Sequence, residues 1–222
     1  FFVALLLLMG ILNLIIHLTT TNNINSDKNF TLVALDVVLL IVAVIAGRVI
    51  PFFTERALMM TNPIKRIKLI EILSILSITL LILLDLISVS NQLIIGTTLM
   101  FAAISNSIRI ITWYQKQIWQ HPLLWILYLG YGWLVIGFAI KALVILYSLD
   151  QLRSPANHAL TLGVISSLIL GMMARVSLGH TGRELKINGL MIASFILITM
   201  AAISRVFLVM IFPDEYFSLL IF

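Results

Sequence analysis

HALTLGVISSLILGMMARVSLGHTGREL, residues 158–185, decides the fold. From Ala159 to Leu178 it is apolar without a break, and about 20 such residues of helix cross a bilayer. Ser154-Pro155 stands just upstream, a capping residue followed by the proline that a first helical turn tolerates. Gly163, Ser167 and Gly171 recur every four residues, which predicts a small-residue face where another helix can approach closely. The chemistry sits at the rims. His158 lies at one end, Arg175 near the other, and Gly179-His180-Thr181-Gly182-Arg183 closes the stretch.

The rest of the chain has the same character. Of its 222 residues, 61% are hydrophobic and 10% charged, and the mean hydropathy of +1.14 excludes a soluble domain. Cysteine is absent, so disulfides, thiolate metal sites, a CxxCH haem attachment and a cysteine nucleophile are all excluded. The net charge of +5 sits in short loops between apolar segments, where topology and lipid head groups explain it without nucleic acid. Residue 1 opens within an apolar run, and the chain reads as a single transmembrane domain, 1–222, from a longer membrane protein.

Seven spans are predicted, near Phe1–Leu18, Leu32–Ile50, Leu69–Val89, Gln92–Thr112, Pro122–Tyr147, Ala156–Leu178 and Ile187–Phe212, with an eighth beginning at Tyr216. No ten-residue alternation of the β-barrel kind is present. The expected class is all-α, a polytopic transmembrane helical bundle. The second, fourth and sixth loops and their rims hold 10 Lys and Arg, including Arg48, Arg56, Arg109, Arg175 and Arg183; the odd loops hold 4, Lys28, Lys141, Arg153 and Arg205. By the positive-inside rule the even loops are cytoplasmic, which puts residue 1 on the cytoplasmic side of an inner membrane.

Two polar sets follow from that topology. The periplasmic set is Asn13, His17, Asp36, Asp85, Lys141, His158 and Arg205, with Asn13 and His17 on one helical face. Lys141 lies about 29 Å along an ideal helix from Pro122, at interface depth, where a lysine can snorkel. The cytoplasmic set is Arg48, Thr54, Arg109, Arg175, His180, Thr181 and Arg183. There Pro51 is expected to stop or kink its helix, and Gly179 and Gly182 allow a tight turn. This set suits an anion, a propionate or a lipid phosphate, although helix capping and topology account for its charges equally well. Trp113, Trp119 and Trp125 are expected to form an interfacial belt and Trp133 to pack more deeply. GxSxG, HExxH, P-loop and dinucleotide patterns are absent, so neither a hydrolase nor a nucleotide-driven pump is supported.

ARVSLGHTGREL at 174–185, with the small-residue helix from His158 before it, resembles the NnrS family of bacterial membrane proteins, as does GRVIPFFT at 47–54. The two blocks span about 36 of the 222 residues. The resemblance implies an inner-membrane protein that binds haem and copper, acts in the response to nitric oxide and carries further helices before residue 1. On that footing His17 and His158 are candidate axial ligands, since neutral imidazole suits iron and copper alike. Lys141 or Arg205 then pairs with propionates, Asp36 orients an imidazole, and Arg175, His180 and Arg183 belong to the family-matching motif. The chain departs from the family in PLLWILYLGY, where Tyr128 stands in place of an expected histidine. Copper has no ligand spacing of its own among the 4 histidines and 9 methionines.

Two other classes compete. A secondary transporter or proton-coupled permease would line a polar path with Asp36, Asp85, Lys141 and Arg205. A scaffold would dock a partner on the Gly163–Ser167–Gly171 face.

Overall fold

A computed structural model describes residues 2–21, 30–182 and 185–211. Seven helices are long and apolar enough to cross a membrane: α1 Phe2–Thr21, α2 Phe30–Ala57, α3 Lys68–Leu86, α4 Gln92–Trp113, α5 Pro122–Tyr147, α6 Asp150–His180 and α7 Gly189–Ile211. The described residues contain no strand. An eighth span from Tyr216 lies outside the described residues, as does the first loop.

α5 is the axis of the bundle. It is apolar on every side, which is the pattern of a helix surrounded by other helices rather than lying on a surface. α2, α4, α6 and α7 all pack against it, and α3 bridges α2 and α4. α1 packs on α2 at the edge, and of its residues Leu12 is buried. The outward faces of α1, α3 and α7 are apolar, as a hydrocarbon solvent requires.

α5 and α6 approach closely because small residues alternate with large ones across the contact. A Cβ at Gly163 would strike the ring of Trp133, one at Gly171 would press on Ile126, and one at Gly137 or Gly130 would meet Leu160 or Leu168. The small-residue face expected to receive a partner is therefore filled by the chain's own α5, which corrects the scaffold reading.

Two boundaries differ from expectation. α2 continues two turns past Pro51 to Ala57 instead of stopping, since neighbouring groups in a membrane bundle replace the one bond that proline removes. α6 starts earlier, with a tight turn at Asp150–Leu152 and then helix from Arg153. Ser154 is thus helical rather than a cap, and Pro155 still falls within the first turn, where no N–H is needed. Widened π-type turns interrupt α6 at Ala159–Ser166 and α7 at Ser204–Leu208, features that often mark functional sites. At the far end of α6, Gly182 adopts the left-handed conformation (φ 65°) that closes helices, so the expected tight turn is present.

Candidate functional site

Three polar centres lie within or beside the bundle. The first surrounds Arg109 of α4, which is 1% exposed although four residues from the end of its helix. Its Nε and Nη2 donate to Oε2 of Glu71 in α3, the Nε bond at 2.8 Å. Its Nη1 donates to the Ala43 carbonyl of α2 and to the Tyr131 hydroxyl of α5, both at 2.8 Å. Tyr131 in turn donates to Oδ1 of Asn106, which anchors itself on the Ala102 carbonyl. The guanidinium also lies 4.9 Å from the centre of the Trp113 ring. Gly47 makes this possible, because a Cβ there would occupy the position of the guanidinium. Four helices are joined through one side chain. Arg109 is therefore an interior residue and not the rim charge expected from its nearness to the fourth loop; Trp113, fully buried beside it, likewise leaves the interfacial belt.

A turn away, Tyr128 donates to the Trp113 carbonyl at 2.7 Å and lies 3.1 Å from Thr54 Oγ1, which itself donates to the Ile50 carbonyl. Thr54 is thereby buried, whereas Arg48 is exposed, so the two do not meet at one rim.

The second centre is at the opposite end of α2 and α5. Lys141 Nζ donates to both oxygens of Asp36, at 2.9 and 3.2 Å, and Asp36 is fully buried. Asp85 of α3 comes within interaction range of both. A cavity of about 150 Å³ opens beside them, lined by Asp85, Lys141, Arg153 and Asn157 among apolar neighbours. Lys141 is not snorkelling alone, and neither it nor Asp36 is free for a propionate or an imidazole.

The third is a cavity of about 680 Å³ at the end where α2 finishes and α5 begins. Arg175 forms part of its wall, 8% exposed, with its guanidinium 3.7 Å from the centre of the Phe53 ring. His180 of the same motif is exposed, and Thr181 bonds back to the Ser177 carbonyl. Arg183 lies outside the described residues.

The whole chain, residues 1–222, matches the family model described as NnrS protein. The chain belongs to the NnrS family. At the level of the family this makes it a multi-pass membrane protein of the nitric oxide response. No curated protein and no solved structure matches it.

The arrangement tests how an NnrS haem would be held. His17 is exposed on α1, which packs on α2. His158 is half-buried on the part of α6 that packs on α5 and on the Ser204–Leu208 turn, with Arg205 in electrostatic range. The two histidines lie on helices with different main packing partners, α2 for α1, and α5 and α7 for this part of α6. Tyr128, where a family histidine was expected, is hydrogen-bonded to the Trp113 carbonyl and lies beside Thr54. For copper, no group of three His, Cys, Asp or Glu able to hold a metal occurs among the described residues.

Sequence reasoning missed Glu71, Asn106 and Tyr131 as partners of Arg109. The available signal was Asn106 and Arg109, three apart on one face of a helix with no other charged residue.

Proposed function

We propose that this NnrS-family chain is a haem-binding protein of the inner membrane that serves the nitric oxide response as a sensor, carrier or relief factor. The observation that carries this reading is the family match over the full 222 residues. His158, half-buried and with Arg205 nearby, offers an imidazole and a cation together, the pair of groups that a haem edge uses. His17, on the outward face of α1, is the weaker ligand and depends on neighbours beyond the described helices. Bound haem would supply an iron position open to nitric oxide, and copper is the second metal that the family suggests. The charge balance of the loops favours residue 1 on the cytoplasmic side, with additional helices of the same protein completing the membrane unit.

The test is the visible absorption spectrum of the full-length protein in detergent, reduced, with and without nitric oxide. A Soret band that moves on adding nitric oxide is expected, with a lower haem-to-protein ratio in His158→Ala than in His17→Ala. A colourless protein from haem-supplemented cells would remove the haem reading.

One observation favours a second reading, a proton-coupled permease. Asp36, Lys141 and Asp85 form a charged group within the spanning helices, with Asp85 in electrostatic range of the Asp36–Lys141 pair beside a cavity. In that case Asp85→Asn abolishes flux in proteoliposomes while leaving assembly intact. Unchanged flux, or the absence of any flux in the unsubstituted protein, removes this alternative.

A further inference from the structure

The 680 Å³ cavity at the Arg175 end has a composition that neither reading of function uses. Three cations reach it, Arg56, Arg175 and Lys186, together with His121, and its described lining includes no carboxylate. Apart from Gln120 the remaining wall is apolar, with Leu124 of α5 and Ile192 of α7. Glu55, next to Arg56 in sequence, is turned elsewhere: its Oε1 accepts the Ile64 N–H at 2.8 Å and lies 3.9 Å from Arg66. Arg175 is the deepest of the cations. Its guanidinium rests on Phe53, and among the described residues it donates to no oxygen. Its donors are therefore open to the cavity, and the fork of N–H groups matches phosphate oxygens.

We propose that this cavity binds the phosphate of an anionic amphiphile, with Arg175 as the inner contact, Arg56 as the outer one and the acyl or apolar part against Leu124 and Ile192. The assignment is independent of haem. The volume falls in the range of roughly 300–1,000 Å³ typical of ligand sites, and the pairing of a cationic rim with an apolar wall matches a lipid lying at the interface.

The experiment uses the full-length protein, delipidated in detergent and titrated with phosphatidylglycerol while bound lipid is counted by native mass spectrometry. Arg175→Gln and Arg56→Gln are each expected to weaken retention about tenfold, the loss of one charge-assisted contact. Arg66→Gln, a cation already facing Glu55, is expected to leave retention unchanged. Arg56 is exposed, so its variant reports even where Arg175→Gln fails to fold. Persistence of bound lipid in millimolar inorganic phosphate is expected; full displacement would make the ligand a free anion and overturn the amphiphile assignment. Equal retention by the unsubstituted protein and both variants overturns the proposal, as does equal retention of zwitterionic phosphatidylcholine. Loss of a Soret band in Arg175→Gln would overturn it too, by giving the cavity to haem.

Discussion

Arg109 shows how one side chain can tie four helices together inside an apolar bundle. Its bonds to Glu71, Tyr131 and the Ala43 carbonyl use donors that would otherwise be stranded in a low dielectric. Single hydrogen bonds between membrane helices contribute little, about 0.6 kcal/mol on average. The penalty for breaking this group therefore comes mainly from the charge left behind. Arg109→Met should cost about 3 kcal/mol, at the lower end of the range for a broken buried pair, because Glu71 keeps some exposure. Arg109→Met with Glu71→Gln should recover more than half of that loss, which equilibrium unfolding in mixed micelles can measure. Additive losses would mean that the two groups are not coupled. Along the chain only the spacing of Asn106 and Arg109 hinted at this group. An arginine four residues from a helix end reads as a rim charge, and only the packing of Gly47 against α4 reveals that it turns inward. Asp36 and Lys141 were singled out from sequence, but their bond spans 105 positions and no local pattern announces it.

At the scale of the helix, the contact between α5 and α6 depends on shape. Trp133 fills the space that Gly163 leaves, and Ile126 and Leu127 fill that at Gly171, so the two backbones approach without polar help. Gly163→Leu should lower the thermal midpoint in detergent, by a destabilisation of about 1–3 kcal/mol, because the indole has nowhere to move. Gly179→Ala, on the same helix with open space around its Cβ, should be neutral or stabilise by about 0.5–1 kcal/mol. Equal midpoints for both variants would show that the approach is looser than this geometry requires. The four-residue spacing of Gly163, Ser167 and Gly171 made the face readable, since periodicity is a property of a single helix. Which helix fills it is a property of two, and the partner is α5 of the same chain. The widened turns at Ala159–Ser166 and Ser204–Leu208 had no signal of this kind, because neither contains proline and only one contains a glycine.

For the whole molecule the open question is which way the bundle faces. The seven spans were readable because hydropathy over about 20 residues outweighs every local ambiguity, and each expected span overlaps its helix. Orientation rests on loop charge, and the fold changes that count. Arg109 belongs to the interior, so the even loops keep nine Lys and Arg against four in the odd loops. Arg175 is also largely enclosed, yet it stays at the same end as Arg56, and the bias keeps its sign. The excess lies in short loops, where the rule is strongest, so the α2–α3 loop should face the cytoplasm. The absence of cysteine from the 222 residues gives a clean test. Met59→Cys and Ser90→Cys place single thiols in consecutive exposed loops, on opposite sides of α3. In intact cells whose outer membrane admits small reagents, a charged maleimide should label the thiol at position 90 and spare that at 59 until the inner membrane is opened. The reverse pattern would place the Arg175 cavity on the outer side and expose its cations to a different leaflet. Labelling of both in intact cells would show that α3 does not cross the membrane, and the seven-span topology would fail with it.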